Sequence, residues 1–141
     1  MADKKIQLKI ITPEGNKVDE AVDMIVMRCT TGDIGILYRH EPRTAILNYG
    51  LLRMINEGVE RKIAVYGGTA TIQNNVLTVL TSGADWPDEI DLTKAQADRD
   101  HAERRLREKA DDLEIEVDQV LLRRALVQIE AGLSTADDEE N

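Results

Sequence analysis

Polar and apolar residues alternate along Lys5-Ile6-Gln7-Leu8-Lys9-Ile10, the two-residue period of a strand with one face buried. Further strands are expected at residues 22–30, 50–55, 59–66, 69–73 and 76–81, all rich in Val, Ile, Thr and Leu. Between them lie Pro13-Glu14-Gly15-Asn16, Asn56-Glu57-Gly58, Gly67-Gly68 and Asn74-Asn75, each with residues that tolerate the positive φ of tight hairpin turns. Short strands at this spacing indicate an antiparallel sandwich or barrel.

From Leu92 the period changes to 3.6 residues. Leu92, Ala95, Ala102, Leu106, Ala110 and Leu113 approximate one helical stripe, with Asp91 placed as its N-cap. A second stripe runs Val117, Leu121, Ala125, Ile129 and is widened by Leu122 and Leu126. Asp111-Asp112-Leu113-Glu114 between them offers polar, cap-forming residues, which predicts two antiparallel helices joined by a short turn. Gly132 is expected to stop the second helix and the remaining residues 134–141 to fray as an acidic tail. The expected organisation is β followed by α: a strand-rich domain at 1–86, a helical hairpin at 87–133, and the tail. Alanine-rich stripes bury little apolar surface, so the hairpin is expected to be marginally stable when undocked.

Composition divides at the same place. Eight of nine glycines precede Trp86; residues 1–86 carry 10 basic and 10 acidic groups, whereas residues 87–141 carry 8 and 17, the whole of the net charge of −9. That acidity opposes attraction to nucleic acid or an anionic membrane, and the lack of Phe removes a stacking platform for single-stranded bases. No apolar run reaches the ~18 to 20 residues of a spanning helix, and Met1-Ala2-Asp3-Lys4-Lys5 has no hydrophobic signal core behind it. A soluble, cytosolic chain without membrane insertion is expected. The single Cys29 excludes an internal disulfide and a Cys-based zinc cluster, and its alternating context suggests a buried apolar filler.

Catalytic patterns are missing. Only His40 and His101 can serve as imidazole bases; there is no G-x-S-x-G elbow and no P-loop, and Gly32-Asp33-Ile34-Gly35 is too short for a dinucleotide fingerprint. Paired carboxylates such as Asp111-Asp112 fit a solvated turn better than a metal loop. No catalytic residue, metal site or bound cofactor is expected.

Three stretches combine into a family resemblance: Thr12-Pro13-Glu14-Gly15 after the first strand, Gly32-Asp33-Ile34-Gly35-Ile36-Leu37 before His40-Glu41-Pro42, and Ala102-Glu103-Arg104-Arg105-Leu106 on the first helix. Their order and spacing resemble the epsilon subunit of the bacterial F-type ATP synthase over nearly the whole chain. The resemblance implies a β-sandwich seated on the rotor between the gamma subunit and the membrane c-ring of a proton-translocating enzyme, peripheral at the cytoplasmic face of the bacterial membrane. It also implies a hairpin that folds on the sandwich or extends into the catalytic alpha/beta head, where it hinders ATP hydrolysis. Rotor contact falls on the loop at residues 32–42, with Gly32, Asp33, Gly35, His40 and Pro42. Regulatory contact with the catalytic subunits falls on Arg104, Arg105, Arg107, Arg123 and Arg124, although local pairs such as Glu103 with Arg107 would also account for arginines here.

ATP-binding members of the family resemble one another in an Ile/Leu-Asp-x-x-Arg-Ala motif. This chain has Ile90-Asp91-Leu92-Thr93-Lys94-Ala95, and the further arginine positions fall at His101, Arg124 and Gln128. Lys94 lacks the bidentate fork of arginine, and Asp91 has a sufficient role as a cap, so weak or absent ATP sensing is expected. The alternative is a nucleotide sensor whose hairpin folds on binding ATP. Tyr38-Arg39 stands where the family commonly has Pro-Gly, which suggests a reshaped loop.

Overall fold

A computed structural model of the chain describes residues 4–108 and 112–140, without the side chains of 112 and 135–140. It divides into two compact units, Met1–Asp85 and Trp86–Asn141.

The first unit is built from β1 (Ile6–Thr12), β2 (Gly15–Val22), β3 (Met24–Cys29), β4 (Gly32–Leu37), β5 (Arg43–Asn56), β6 (Val59–Gln73), β7 (Val76–Leu80) and β8 (Ala84–Asp85). Neighbouring strands follow the order β2-β1-β7-β6-β5-β3-β4, with β8 on β6. All described pairings are antiparallel except β1 with β7, which are parallel. β5 and β6 are long enough to serve two layers. Their 43–47 and 69–73 ends continue through β7, β1 and β2, while their other ends continue through β3 and β4. The result is a β-sandwich.

The core is aliphatic, as a chain without Phe requires. Ile6, Leu8, Ile10, Val22, Leu77 and Val79 of β1, β2 and β7, and Ile25, Met27, Ile36, Leu52, Met54 and Ile63 of β3 to β6, are all buried. Each such side chain is worth about 1.5–3 kcal/mol when removed from water. Cys29 is buried among them, and burial pushes its thiol pKa up.

Three of the four expected turns are hairpin turns, at residues 13–14, 57–58 and 74–75. Glu57 and Gly58 have φ 51° and 79°, and Asn74 and Asn75 have 52° and 61°, matching the right-handed twist of the flanking strands. Gly67-Gly68 is different: it lies inside β6, so the two strands expected at 59–66 and 69–73 are one. Both faces of β6 are buried from Ile63 to Tyr66, whereas beyond the glycines only alternate residues, Ala70 and Ile72, are buried. The glycines take φ of 73° and 120°. A Cβ on Gly68 would stand 2.0 Å from the Leu80 carbonyl oxygen. Residues 32–37, expected as a loop, form the outer strand β4, and β5 starts at Arg43 rather than near Gly50. Edge pairing with β3 overrides the weak strand propensity of two glycines and an aspartate.

In the second unit, a 3-10 turn (Pro87–Glu89) leads to α1 (Leu92–Arg107) and α2 (Asp112–Glu140). Asp91 caps α1 as expected, its Oδ1 accepting the Lys94 amide N–H at 3.1 Å. Ala95 and Ala102 of α1 and Ala125 and Ile129 of α2 are buried. Leu113 and Val117, expected in the buried stripes, are 71% and 60% exposed. Asp112, Leu113 and Glu114 belong to α2 rather than to the turn; Ala110 and Asp111 lie outside the described residues. Gly132 does not end the helix, which continues to Glu140 through the expected tail; Asn141 lies outside the described residues. A glycine inside a helix costs only about 1 kcal/mol. Here it admits the other helix: a Cβ on Gly132 would lie 3.1 Å from Leu92 Cδ1.

Two outcomes are expected. Gly68→Ala lowers stability by about 3 kcal/mol or more, because both the positive φ and the clash with backbone act against it, and urea unfolding of the full chain measures this. At the start of β3, Asp23 Oδ2 accepts the Glu57 amide N–H at 2.7 Å, which lowers its pKa, with Lys5 Nζ 3.4 Å from Oδ1 assisting. A carboxylate with a lowered native pKa contributes stability that is complete above its unfolded value of about 3.9 and fades as pH falls through the native value. Asp23→Asn therefore flattens the acid limb of the unfolding midpoint against pH below about pH 4. An unchanged limb would refute the assignment.

Candidate functional site

The candidate residues fall into one group on the sandwich and another on the hairpin. Gly32, Asp33 and Gly35 lie exposed on β4, whose only described ladder partner is β3, with Asp33 opposite Arg28. The chain then turns: the His40 amide N–H donates to the Leu37 carbonyl at 3.0 Å, and His40 Nδ1 lies 2.7 Å from the Glu41 carbonyl oxygen. His40 is half-buried and Pro42 exposed. Arg39 stands where the resemblance places a glycine. It keeps a positive φ, 67°, and its amide N–H donates to Asn75 Oδ1 at 2.7 Å. A bond from the β6–β7 turn thus helps a residue with a Cβ to hold the left-handed conformation. Leu37, at the end of β4, is exposed, as are Ile46 and Leu80. Ile46, Thr69, Leu80 and Ile11 occupy one row across β5, β6, β7 and β1, an apolar row that sequence alternation alone does not reveal.

On the hairpin, Ile90 precedes the cap, Asp91 is the cap, and Ala95 is buried. Lys94 Nζ bonds Asp98 Oδ2 at 2.8 Å, an i,i+4 pair along the exposed flank of α1. The two polar groups of the candidate ATP motif are therefore engaged in local helix bonds. His101 and Arg124 are exposed, on α1 and α2 respectively.

The arginines divide by what they touch. All five, Arg104, Arg105, Arg107, Arg123 and Arg124, are exposed. The Arg107 Nε–H donates to the Glu103 backbone carbonyl at 3.3 Å, not to the carboxylate expected from i,i+4 spacing. Arg105 reaches across to α2, where its Nε–H donates to Asp118 Oδ2 at 3.1 Å. Asp118 was not a candidate from sequence. Its signal was available, though: it stands at i−3, i−4, i−7 and i−11 from Leu121, Leu122, Ala125 and Ile129, a charge within the buried stripe.

No group of three or more His, Cys, Asp or Glu side chains is gathered for a metal among the described residues. No described helix is long and apolar enough to cross a membrane. What the surface offers is shape and charge: an outer strand with a fixed loop, and a two-helix hairpin with outward arginines.

Comparison with known proteins matches both units. Residues 5–87 match the family described as ATP synthase, Delta/Epsilon chain, beta-sandwich domain, and residues 88–132 the one described as ATP synthase, Delta/Epsilon chain, long alpha-helix domain. The chain is 35% identical over 128 residues to the ATP synthase epsilon chain of Caldanaerobacter subterraneus, covering 90% of this chain and 93% of the relative. It is 36% identical over 132 residues to that of Syntrophobacter fumaroxidans, covering 94% and 98%. A chain in the cryo-EM structure of the Euglena gracilis mitochondrial ATP synthase in rotational state 1 aligns with TM-score 0.80 at 25% identity, covering 92% of this chain and 82% of that one. With the sandwich and the helices each matched, in order, the chain belongs to the ATP synthase delta/epsilon family, as an epsilon chain of the bacterial F-type enzyme and a non-catalytic subunit of that complex.

Proposed function

We propose that the sandwich seats this subunit on the rotor, against the gamma subunit and the c-ring at the cytoplasmic face of the membrane, and that the hairpin restrains ATP hydrolysis by the catalytic alpha/beta head. The observation that carries the second part is the exposure of Arg104, Arg123 and Arg124 on a hairpin that forms its own compact unit. Outward guanidinium groups suit acidic partner surfaces, while the thin seam of Ala95, Ala102, Ala125 and Ile129 costs little to part. Rotor contact is supported by the fixed β4 edge and loop, with Gly32, Asp33, Gly35, His40 and Pro42, and by the similar Euglena chain, whose assembly includes the c-ring.

The test compares ATP hydrolysis by the reconstituted head and gamma subunit bearing either the full chain or a chain ending at Trp86, after checking that the two bind equally. Truncation raises hydrolysis several-fold, and replacing Arg104, Arg105, Arg123 and Arg124 together by alanine reproduces much of the increase. Unchanged hydrolysis in both would make the chain a coupling adaptor.

ATP is not a tight ligand of this hairpin on our reading, because Lys94 and Asp91 are already engaged and Gln128 replaces a cation. Calorimetric titration of the full chain with ATP gives no low-micromolar binding. Saturation in that range would favour the nucleotide-sensor reading.

A further inference from the structure

The seam between α1 and α2 is uneven along its length. Near the start of α1, Leu92 lies against Gly132, and Ala95 and Ile129 are buried. Towards the turn Ala102 is buried, but Leu113 and Val117 of α2 are exposed. At that weaker end Asp118 is buried, its side chain 6% exposed, against 44% for Arg105. A carboxylate in that setting is costly unless it is paired. Arg105 supplies the partner, and no described buried side-chain polar atom lacks a hydrogen bond. The pairs Lys94–Asp98 and Arg99–Asp100 lie within α1, whereas Arg105–Asp118 joins the two helices.

We propose that the Arg105–Asp118 pair is a latch that closes the turn end of the hairpin, and that closure withdraws the Nε edge of Arg105 from any acidic partner surface. Opening the hairpin and presenting the Nε edge of Arg105 are then one event. A guanidinium bonded through Nε to an inward carboxylate cannot offer that edge to a second one, so in the closed hairpin Arg105, 44% exposed, presents only its terminal amino groups beside the exposed Arg104 and Arg123. An opened hairpin would present the full set while leaving Asp118 to hydrate. The withdrawal of Arg105 rests on the inhibitory reading given above; the latch itself does not.

Amide hydrogen exchange on the full chain tests the latch. Asp118→Asn keeps the shape of the side chain and removes its charge. It should speed exchange about tenfold or more in the second half of α1 and the first half of α2, leaving the sandwich amides unchanged. The double exchange Arg105→Asp with Asp118→Arg should restore slow exchange. Exchange that is unchanged in Asp118→Asn, or not restored by the double exchange, overturns the latch. Hydrolysis by the reconstituted head tests the second half: Asp118→Asn, which retains Arg105, should inhibit more strongly than the natural chain. If truncation after Trp86 relieves inhibition but Asp118→Asn does not deepen it, the withdrawal of Arg105 is wrong. If truncation itself has no effect, the inhibitory reading fails and the latch is judged by exchange alone.

Discussion

The ladder between β5 and β6 runs from Arg43 opposite Ile72 to Asn56 opposite Val59, and both layers of the sandwich hang on it. A strand pair that serves two layers must change which face points inward, and side chains on a strand alternate with a period fixed at two. In β6 both faces are buried from Ile63 to Tyr66, where the strand passes between layers. Gly67 and Gly68 follow with positive φ, and the backbone of β7 lies so close to Gly68 that no side chain fits. The outer strand β4 with its loop, and the row of Ile46, Thr69, Leu80 and Ile11, are held by strands registered on that ladder.

The hairpin depends on a different balance. Its buried apolar residues are four alanines with Val127 and Ile129, joined by one close approach at Gly132 and an ion pair, a smaller apolar set than the core of the sandwich. The sandwich, with its closed aliphatic core, resists local opening far more strongly. Charge is divided in the same sense: the sandwich sequence is neutral, while the hairpin sequence is strongly acidic yet carries its arginines in clusters. An arginine set against an acidic background finds partners within its own unit, as Arg105 does, and each internal bond removes a donor from the outward surface.

The absence of catalytic machinery was legible from residue types alone, because nucleophile, base and phosphate loop each need particular residues at particular spacings. The candidate surface was legible only in part. Gly32, Asp33, His40 and the arginine clusters were apparent as residues, but not that Lys94 would bind Asp98, that Arg107 would turn to the Glu103 carbonyl, or that Arg105 would cross to Asp118. Spacing along a helix says which side chains are neighbours, not which of several acceptors wins.

The sequence by itself determined the two-part plan, the aliphatic core, the hairpin turns at residues 57–58 and 74–75, and the Asp91 cap, because each follows from a local period or a local backbone preference. Tertiary structure alone decided that β6 runs unbroken through Gly67-Gly68, that residues 32–37 form a strand, and that α2 passes through Gly132. In all three cases a glycine reads locally as a break. Only the neighbouring element shows whether the missing side chain serves a turn, a crossing between layers or the close approach of another helix.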